Sequence, residues 1–283
     1  MEKIEEIILR HSQRGMHKLK EYLPEDYCQR AAEAILSWPQ GTVFLTTGFY
    51  VAGFPETDGP AGTVVLAEAL SQLGYRPVIV TDAAYVSLFT MRALDVIPIR
   101  VDDDQAVFRA LLEQERPVGL ISIERCGINL RDDYENMHGV SIRSHNAPID
   151  IMFRLAPAYG IKTIGVGDGG NEIGMGILAQ ILQKEFSLIP CRVAVDDLVI
   201  ASVSNWGAYG ITAYLAILSR MPLLPEYAEI AAYLSESVKL GSVDGITQER
   251  VPHVDGFNET VEQEIVEALL DEVNFSLQEP CVV

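Results

Sequence analysis

Short apolar runs alternate along the chain with longer segments of helical periodicity. The runs suit buried strands and lie at residues 42–46, 77–81, 96–101, 118–123, 161–165 and 198–202. The segments between and after them predict helices at residues 61–73, 84–94, 104–115, 148–159, 173–184 and 204–220. This alternation indicates right-handed βαβ crossovers. We therefore predict a three-layer α/β fold with a mainly parallel, Rossmann-like sheet and helices on both faces.

Helical periodicity also marks both ends of the chain. The additional helical segments lie at residues 4–10, 25–38, 226–239 and 259–271. The sequence shows no internal repeat, low-complexity tract or clear linker. We predict a single α/β domain over residues 1–283. Its N-terminal helical segment, its core and its C-terminal helical segment should comprise residues 1–40, 41–220 and 221–283.

The composition argues against several classes of ligand and fold. The chain has 40 Asp and Glu against 21 Lys and Arg, and its net charge of −19 would repel nucleic acids and anionic membranes. Its four cysteines lie far apart, unlike those of a zinc ribbon or a secreted disulfide framework. No signal peptide and no apolar run near the ~20 residues of a membrane span is evident. We expect a cytoplasmic protein whose partner is a small molecule, as a monomer or a homo-oligomer.

Polar residues, most of them acidic, follow nearly every predicted strand. Parallel sheets bind ligands outside the carboxyl ends of their strands, so these residues should meet at one edge of the sheet. The acidic ones that we select as metal ligands are Glu56, Asp58, Asp82, Asp168 and Glu172. Such an oxygen-rich set would suit a hard divalent ion such as Mg²⁺ or Mn²⁺. The alternative is that acidic residues are simply common in this chain and that some cap helices.

A glycine-rich loop joins the fifth predicted strand to a helix. Its Gly165-x-Gly167-x-x-Gly170 spacing satisfies a dinucleotide-binding fingerprint. However, Asp168 lies inside the loop and Glu172 follows it, and both would repel a pyrophosphate. A tight turn without a ligand is a further alternative. We favour a site for a metal ion or a small zwitterion, and we expect no organic cofactor.

A long polar segment follows the fourth predicted strand, from residue 125 to about residue 145. Loops of this length inside compact domains are usually functional. Arg125 could hold a substrate carboxylate, or it could only neutralise nearby acids, and Tyr134 could orient a substrate. The other substrate-binding candidates, from the remaining strand ends, are Thr57, Gly169, Gly170, Asn171 and Asn205. Cys126 has no His and Asx partner pattern, so it indicates a buried thiol rather than a nucleophile.

An ordered set of motifs resembles the D-glutamate cyclase family from about residue 14 onward. The most specific blocks are Pro55-Glu-Thr-Asp-Gly-Pro60 and Gly167-Asp-Gly-Gly-Asn-Glu-Ile-Gly-Met-Gly176. The shorter motifs are Thr47-Gly-Phe49, Val80-Thr-Asp82, Glu124-Arg125, Asp133-Tyr134, Asn136-Met137, Ser204-Asn-Trp-Gly207 and Val254-Asp-Gly256. Cys126 stands where the family pattern suggests Pro, so the loop after Glu124-Arg125 should differ in shape from that of the family.

The resemblance implies a hydro-lyase that cyclises D-glutamate to 5-oxo-D-proline with loss of water. Our own assignment of roles makes Asp168 or Glu172 the base that takes the amine proton. A divalent metal, or an acid of raised pKa such as Glu56 or Asp58, would neutralise the γ-carboxylate. The alternatives are a metal-dependent phosphatase or lactonase at the same acidic edge, and a nucleotide-binding module at the glycine loop.

Overall fold

The protein is described by a computed structural model that covers residues 2–186 and 188–278. Six parallel strands form its main sheet. They are β1 (Thr42–Thr46), β4 (Arg76–Asp82), β5 (Asp95–Ile99), β6 (Gly119–Ile123), β7 (Lys162–Gly167) and β8 (Asp197–Ile200). Two short strands, β2 (Tyr50–Val51) and β3 (Phe54–Pro55), form a separate antiparallel hairpin. The predicted mainly parallel sheet is confirmed.

Helices flank the sheet and extend both ends of the chain. The first six are α1 (Ile4–Ile7), α2 (Met16–Leu19), α3 (Tyr27–Ser37), α4 (Pro60–Gln72), α5 (Ser87–Thr90) and α6 (Gln105–Glu115). The others are α7 (Asp150–Tyr159), α8 (Ala179–Glu185), α9 (Ser204–Ser219), α10 (Tyr227–Lys239) and α11 (Glu259–Gln278). Short 3₁₀ turns occupy Lys20–Tyr22, Ala83–Tyr85, Arg143–His145 and Met175–Leu178. This arrangement confirms the three-layer α/β prediction.

The strand order explains where a ligand can bind. The main sheet runs β5-β4-β1-β6-β7-β8, so the chain leaves β1 in one direction and later returns to its other side with β6. This is the order of doubly wound dinucleotide-binding folds, whose ligands lie at the carboxyl ends of the strands beside the reversal. The reversal lies between β1 and β6, and the segments after β1, β6 and β7 meet there.

One hydrophobic cluster links the sheet to its helices. Helix α9 is buried along most of its length and packs against α3, α4 and α11. Within α9, Gly207 allows close approach to the sheet, because a Cβ there would lie 2.6 Å from a methyl group of Val166. The position of α9 fixes its N-terminus beside the reversal of the sheet. Among residues 2–186 and 188–278, no helix is long and apolar enough to span a membrane.

Several predicted boundaries differ from the structure. The helix expected at residues 84–94 is only a 3₁₀ turn followed by α5, and the helix expected from residue 173 begins as a 3₁₀ turn at Met175. Strand β5 contains Pro98, which a parallel strand can accommodate because β5 lies at the edge of the sheet. The hairpin of β2 and β3 lies in a stretch that we expected to be a long turn.

Candidate active site

Three buried carboxylates converge at the reversal of the sheet. Asp58, Glu124 and Asp168 each offer an oxygen, and these oxygens lie within 4.8 Å of one another. The three residues follow different strands, since Asp58 comes after the β2–β3 hairpin, Glu124 after β6 and Asp168 after β7. Their relative exposures are 0%, 5% and 0%. We call these residues the acidic triad.

Asp58 is held by backbone groups at the start of helix α9. Its oxygens accept hydrogen bonds from the N–H groups of Ser204 at 2.9 Å, Asn205 at 2.8 Å and Gly59 at 2.9 Å. Helix N-termini stabilise negative charge in this way. Burial nevertheless raises the pKa of Asp58 to about 7, with a further contribution from the charge of Asp255. Asp58 is therefore fixed in position, and its pKa lies near neutral pH.

Glu124 lies at the end of β6 in a strained backbone conformation. Its φ of 44° is in the left-handed region that residues with a Cβ rarely adopt. The Ser204 hydroxyl donates a 2.6 Å hydrogen bond to Glu124 Oε2. Burial raises the pKa of Glu124 well above its ordinary value, and the neighbouring Glu172 adds to this shift. Such strain is typical of functional sites.

Asp168 is completely buried, and one of its carboxylate oxygens, Oδ1, has no hydrogen-bond or ion-pair partner. Arg14 forms an ion pair with its Oδ2. Burial raises the pKa of Asp168 well above its ordinary value, even though Arg14 opposes the shift. A buried carboxylate with unfilled acceptor positions is costly unless a cation or a proton reaches it. Asp168 is thus a natural ligand for an ion at the triad.

Glu56, Asp255 and Arg14 surround the triad. Glu56 is buried and its Oε1 has no hydrogen-bond partner, and burial raises its pKa well above the ordinary value. Asp255 begins a tight turn with Gly256, and their φ angles of 53° and 79° fit the asparagine, aspartate and glycine preference of type I′ turns. The turn brings Asp255 into an ion pair with Arg14.

The site carries a large excess of acidic groups. The carboxylates that influence one another here are those of Glu56, Asp58, Glu124, Asp168, Glu172 and Asp255. Arg14 is the basic side chain that the structure pairs with this group. Because Arg14 can balance only one negative charge, the remaining carboxylates must share protons or meet another cation.

Two adjoining cavities lie beside the triad, and Glu124 is the triad residue that lines one of them. The inner one, of about 60 Å³, is lined by Glu56, Glu124 and Asp255 together with part of the β2–β3 hairpin. The outer one, of about 520 Å³, is bordered on its apolar side by Phe186 and Leu188. Both cavities share lining residues, namely Arg14, Asn136, Met137, His138 and Asn171. A small ligand can therefore enter from the outer cavity and meet the acidic groups at its inner end.

Comparison with known proteins identifies the family of this site. Residues 4–270 match the model of the family described as D-glutamate cyclase-like, C-terminal. The chain belongs to this family. A curated relative, the mitochondrial D-glutamate cyclase of Homo sapiens, is 33% identical over 211 residues, which are 66% of this chain and 34% of the relative. The chain thus spans about a third of the length of that relative.

A solved structure adds little to this assignment. A UDP-glucose 4-epimerase from Thermotoga maritima, determined with UDP-glucose, covers 72% of this chain and 64% of its own. It has 15% sequence identity and a TM-score of 0.27, and this similarity supports no functional argument. The family motifs themselves, by contrast, coincide with the site. The Asp58 block, the Glu124-Arg125 pair, the glycine loop and Asp255 all contribute residues to it.

In the glycine-rich loop, backbone N–H groups donate hydrogen bonds to the side chain of Glu172, which belongs to the same loop. Glu172 accepts hydrogen bonds from the backbone N–H groups of Gly169 at 2.8 Å and Gly170 at 2.7 Å. The loop therefore does not present these N–H groups to a phosphate or a substrate. In this structure Gly169 and Gly170 thus shape the loop and Glu172 fixes it, and the substrate-binding, base and metal-ligand roles of these residues stay predictions. Asn171, which donates to the Glu135 carbonyl at 2.9 Å, still lines both cavities.

Two other predicted site residues form a buried ion pair with each other. Arg125 binds the Asp82 carboxylate through both terminal nitrogens and also donates to the carbonyls of Gly48 and Ala147, each at 2.7 Å. Asp82 Oδ1 additionally accepts the Ala147 N–H at 2.7 Å. This pair accounts for both side chains without a ligand. In this structure Arg125 and Asp82 support the loop at Ala147, and their roles as substrate clamp and metal ligand stay predictions.

Three further substrate-binding candidates also have structural partners. Tyr134 is buried and donates a 2.5 Å hydrogen bond to Asp150. Thr57 donates to the carbonyl of His253 at 2.6 Å. Asn205 accepts the N–H groups of Gly59 at 2.9 Å and Gly62 at 2.7 Å, and donates to the Thr57 carbonyl at 3.1 Å. In this structure the side chains hold helices α4, α7 and α9 around the site, and their substrate-binding roles stay predictions.

Sequence reasoning misses part of the site. Glu124 follows a predicted strand but is absent from the predicted ligand set, and so are Asp255 and Arg14. The Asp255-Gly256 pair signals a turn, and the family motif includes it, which is a signal that could have identified Asp255. Arg14 precedes Gly15 in the N-terminal segment, and the sequence gives no local sign that it reaches the acidic triad.

Proposed function

We propose that this protein cyclises D-glutamate to 5-oxo-D-proline with loss of water, assisted by a divalent cation at the acidic triad. The observation that carries the proposal is the convergence of carboxylate oxygens from Asp58, Glu124 and Asp168 within 4.8 Å of one another, beside a cavity that Glu124 lines. Membership of the D-glutamate cyclase-like family supports the reaction class, and the human relative has this activity in its name.

The residues of the acidic triad fit a hard cation. All three offer carboxylate oxygens, which Mg²⁺ and Mn²⁺ prefer, and Asp168 Oδ1 has no hydrogen-bond or ion-pair partner. Asp58 and Glu124 accept hydrogen bonds from Ser204, but a carboxylate oxygen has a further lone pair for a metal. When bound, the cation would neutralise the γ-carboxylate of the substrate and make it a better electrophile.

The reaction requires a balanced transfer of two protons. The substrate ammonium loses one proton to become a nucleophilic amine, and its nitrogen then forms a bond to the carbon of the γ-carboxylate. The nitrogen loses a second proton, and one γ-oxygen leaves as water after gaining both protons. The protein must therefore accept protons at the nitrogen and return them at the leaving oxygen.

Glu56 is the residue best placed for this transfer. It lines the inner cavity, it is buried, and its Oε1 has no hydrogen-bond partner. Burial and the charge of Glu124 raise its pKa well above the ordinary value, which favours a protonated carboxyl group that could donate to the leaving oxygen. We assign the proton transfer to Glu56, with the cavity walls folding the substrate so that its amine meets the carbon of its γ-carboxylate.

A direct assay tests this function. The purified protein, after treatment with EDTA, is incubated with D-glutamate or L-glutamate, with and without added Mn²⁺, and 5-oxoproline is measured by chiral chromatography. We expect product from the D enantiomer and stimulation by Mn²⁺. Failure to form product from either enantiomer, with Mg²⁺ or Mn²⁺ present, would contradict the proposed reaction.

Variants separate the role of the site from folding. Asp168→Asn should lower kcat/KM by about a factor of 100 or more, because it removes a charged ligand from the acidic triad. Glu56→Gln should lower kcat by about a factor of 100 while Mn²⁺ affinity changes little. Asp95→Asn is the matched control, because Asp95 is an exposed carboxylate at the opposite end of the strands. Full activity of Asp168→Asn would exclude the acidic triad as the site.

A further inference from the structure

We propose that Arg14 is the carboxylate-binding residue of this site, and that a divalent cation frees its guanidinium group by taking Asp168 from it. This inference rests on the proposed function, because it assumes that the acidic triad binds a cation and that the substrate carries carboxylates. It adds a specificity residue and an order of events: the cation binds first and the anionic ligand follows.

The position of Arg14 connects the acidic triad with the cleft. The residue lines both the inner and the outer cavity, and 23% of its side chain is exposed. Its ion pairs with Asp168 and Asp255 both run through Nη2. Nη1 lies on the outer side, 3.5 Å from the point that a Cβ would occupy at Gly169. Among the described residues, none accepts a hydrogen bond from Nη1 or Nε, so both can receive an oxygen anion.

Other arginines that could bind a carboxylate have other partners or lie away from the inner cavity. Arg125 is buried and binds Asp82 and two backbone carbonyls. Arg143 binds Asp133 and lies over the Tyr134 ring, and it borders neither cavity. Arg131 borders only the outer cavity. Arg14 is therefore the arginine that a ligand meets when it reaches the acidic triad.

Asp168 belongs to both the ion pair and the acidic triad. An ion bound by Asp58, Glu124 and Asp168 would share the Asp168 carboxylate with Arg14 Nη2. The cation and the guanidinium group compete for the charge of this one carboxylate, so the ion weakens the pair of Arg14 and Asp168. In our proposal the guanidinium group then leaves Asp168, and its remaining partner Asp255 lies beside the inner cavity. Ion binding thus redirects Arg14 toward the space where an anionic ligand arrives.

A ligand that lacks the amine of glutamate allows binding to be measured without the reaction. Glutarate has both carboxylates of glutamate but no nitrogen nucleophile, so it can bind without reacting. In the wild-type protein, titration calorimetry should show that Mn²⁺ tightens glutarate binding by about tenfold, and that glutarate tightens Mn²⁺ binding equally, as thermodynamic linkage requires.

Substitution of Arg14 should separate the two effects. Arg14→Met removes the competing charge, so Mn²⁺ alone should bind about tenfold more tightly, while glutarate binding with Mn²⁺ present should weaken by at least about tenfold. Arg14→Lys keeps a charge but loses the planar, two-point geometry. It should hold Mn²⁺ affinity near the wild-type value and recover part of the glutarate binding.

Arg76 provides a matched control for the Arg14 variants. Arg76 also binds two carboxylates, Asp95 and Glu115, but it begins strand β4 at the far end of the sheet. Arg76→Met should change neither affinity. Unchanged or weaker Mn²⁺ binding by Arg14→Met would overturn the proposal, as would undiminished glutarate binding or no Mn²⁺ binding in any variant. If the coupled binding is found but D-glutamate gives no product, the proposed reaction fails and the role of Arg14 stands.

Discussion

The Ser204 hydroxyl donates a 2.6 Å hydrogen bond to the Glu124 carboxylate and thereby joins helix α9 to the carboxyl end of strand β6. The same Ser204 donates its backbone N–H to Asp58. One residue at the first turn of a helix therefore orients two members of the acidic triad. Because Glu124 also has a left-handed backbone, this contact selects one geometry for a strained and buried side chain.

Ser204→Ala should disturb cation binding more than folding. Loss of the hydroxyl leaves Glu124 without its side-chain donor, so Mn²⁺ affinity should fall by about 10- to 100-fold. The free energy of unfolding should fall by only about 1–3 kcal/mol. Calorimetry with Mn²⁺ and urea unfolding measure the two effects. Ser219→Ala is the control at the other end of α9, where Ser219 donates to the Leu215 carbonyl, and it should leave Mn²⁺ affinity unchanged.

Gly59 should tolerate no side chain. Its φ of 92° disfavours other residues, and a Cβ there would lie 2.8 Å from the Glu124 Cβ and even closer to the Thr47 hydroxyl. Gly59→Ala should therefore destabilise the protein by about 2–5 kcal/mol and abolish Mn²⁺ binding.

Gly53→Ala separates backbone strain from crowding at Gly59. Gly53 has a similar φ of 101°, but no described atom lies within 4 Å of the position that a Cβ would occupy there. It should cost about 1–2 kcal/mol and leave Mn²⁺ binding intact. Urea unfolding and calorimetry on both variants provide the comparison, and equal effects would show that crowding against Glu124 is unimportant.

The sequence predicts the strands well because their apolar runs are local. Each of the six main strands lies where its run predicts, since a buried parallel strand needs little more than consecutive apolar residues. Helices α5 and α8 are shorter than expected, because 3₁₀ turns at Ala83–Tyr85 and Met175–Leu178 replace part of the predicted helices. The hairpin of β2 and β3 could not be recognised, since two residues per strand leave no alternation to detect.

The site was predicted less completely, because the hydrogen-bond and ion-pair partners of its acidic side chains come from distant parts of the chain. A carboxylate at a strand end could be located from the sequence, but whether it is free depends on distant residues. Asp82 forms an ion pair with Arg125, and the Glu172 carboxylate accepts hydrogen bonds from the N–H groups of its own loop. Arg14 and Asp255 are 241 positions apart, and only the folded chain brings them together.

Glu172 should control the rigidity of the glycine loop. In Glu172→Gln, an amide N–H₂ replaces one of the two oxygens that accept from Gly169 and Gly170, which leaves one backbone N–H without an acceptor. We expect a loss of about 1–3 kcal/mol in the free energy of unfolding and faster hydrogen exchange at both glycine amides. Glu185→Gln, at an exposed glutamate, serves as control. Unchanged exchange would show that the loop is held by other contacts.

Glu262 should make stability depend on pH. It is buried in α11 and accepts hydrogen bonds from Trp206 Nε1 at 2.5 Å and from the Tyr209 hydroxyl at 3.1 Å, both on α9. Burial raises its pKa to about 7 despite these hydrogen bonds. The folded protein therefore keeps this proton over a pH range in which the unfolded chain has lost it. The stability that this proton provides is complete below the ordinary glutamate pKa and disappears as the pH rises through about 7.

A neutral replacement tests the sign of this effect. Between the two pKa values, Glu262 should lower the free energy of unfolding by about 1.4 kcal/mol per pH unit, and Glu262→Gln should remove that contribution. The wild type should thus lose stability relative to Glu262→Gln as the pH rises from 5 to 8, measured by urea unfolding in EDTA. The exposed Glu267→Gln should follow the wild type at every pH. A constant difference between wild type and Glu262→Gln would mean that Glu262 is ionised throughout and that its two donors outweigh its burial.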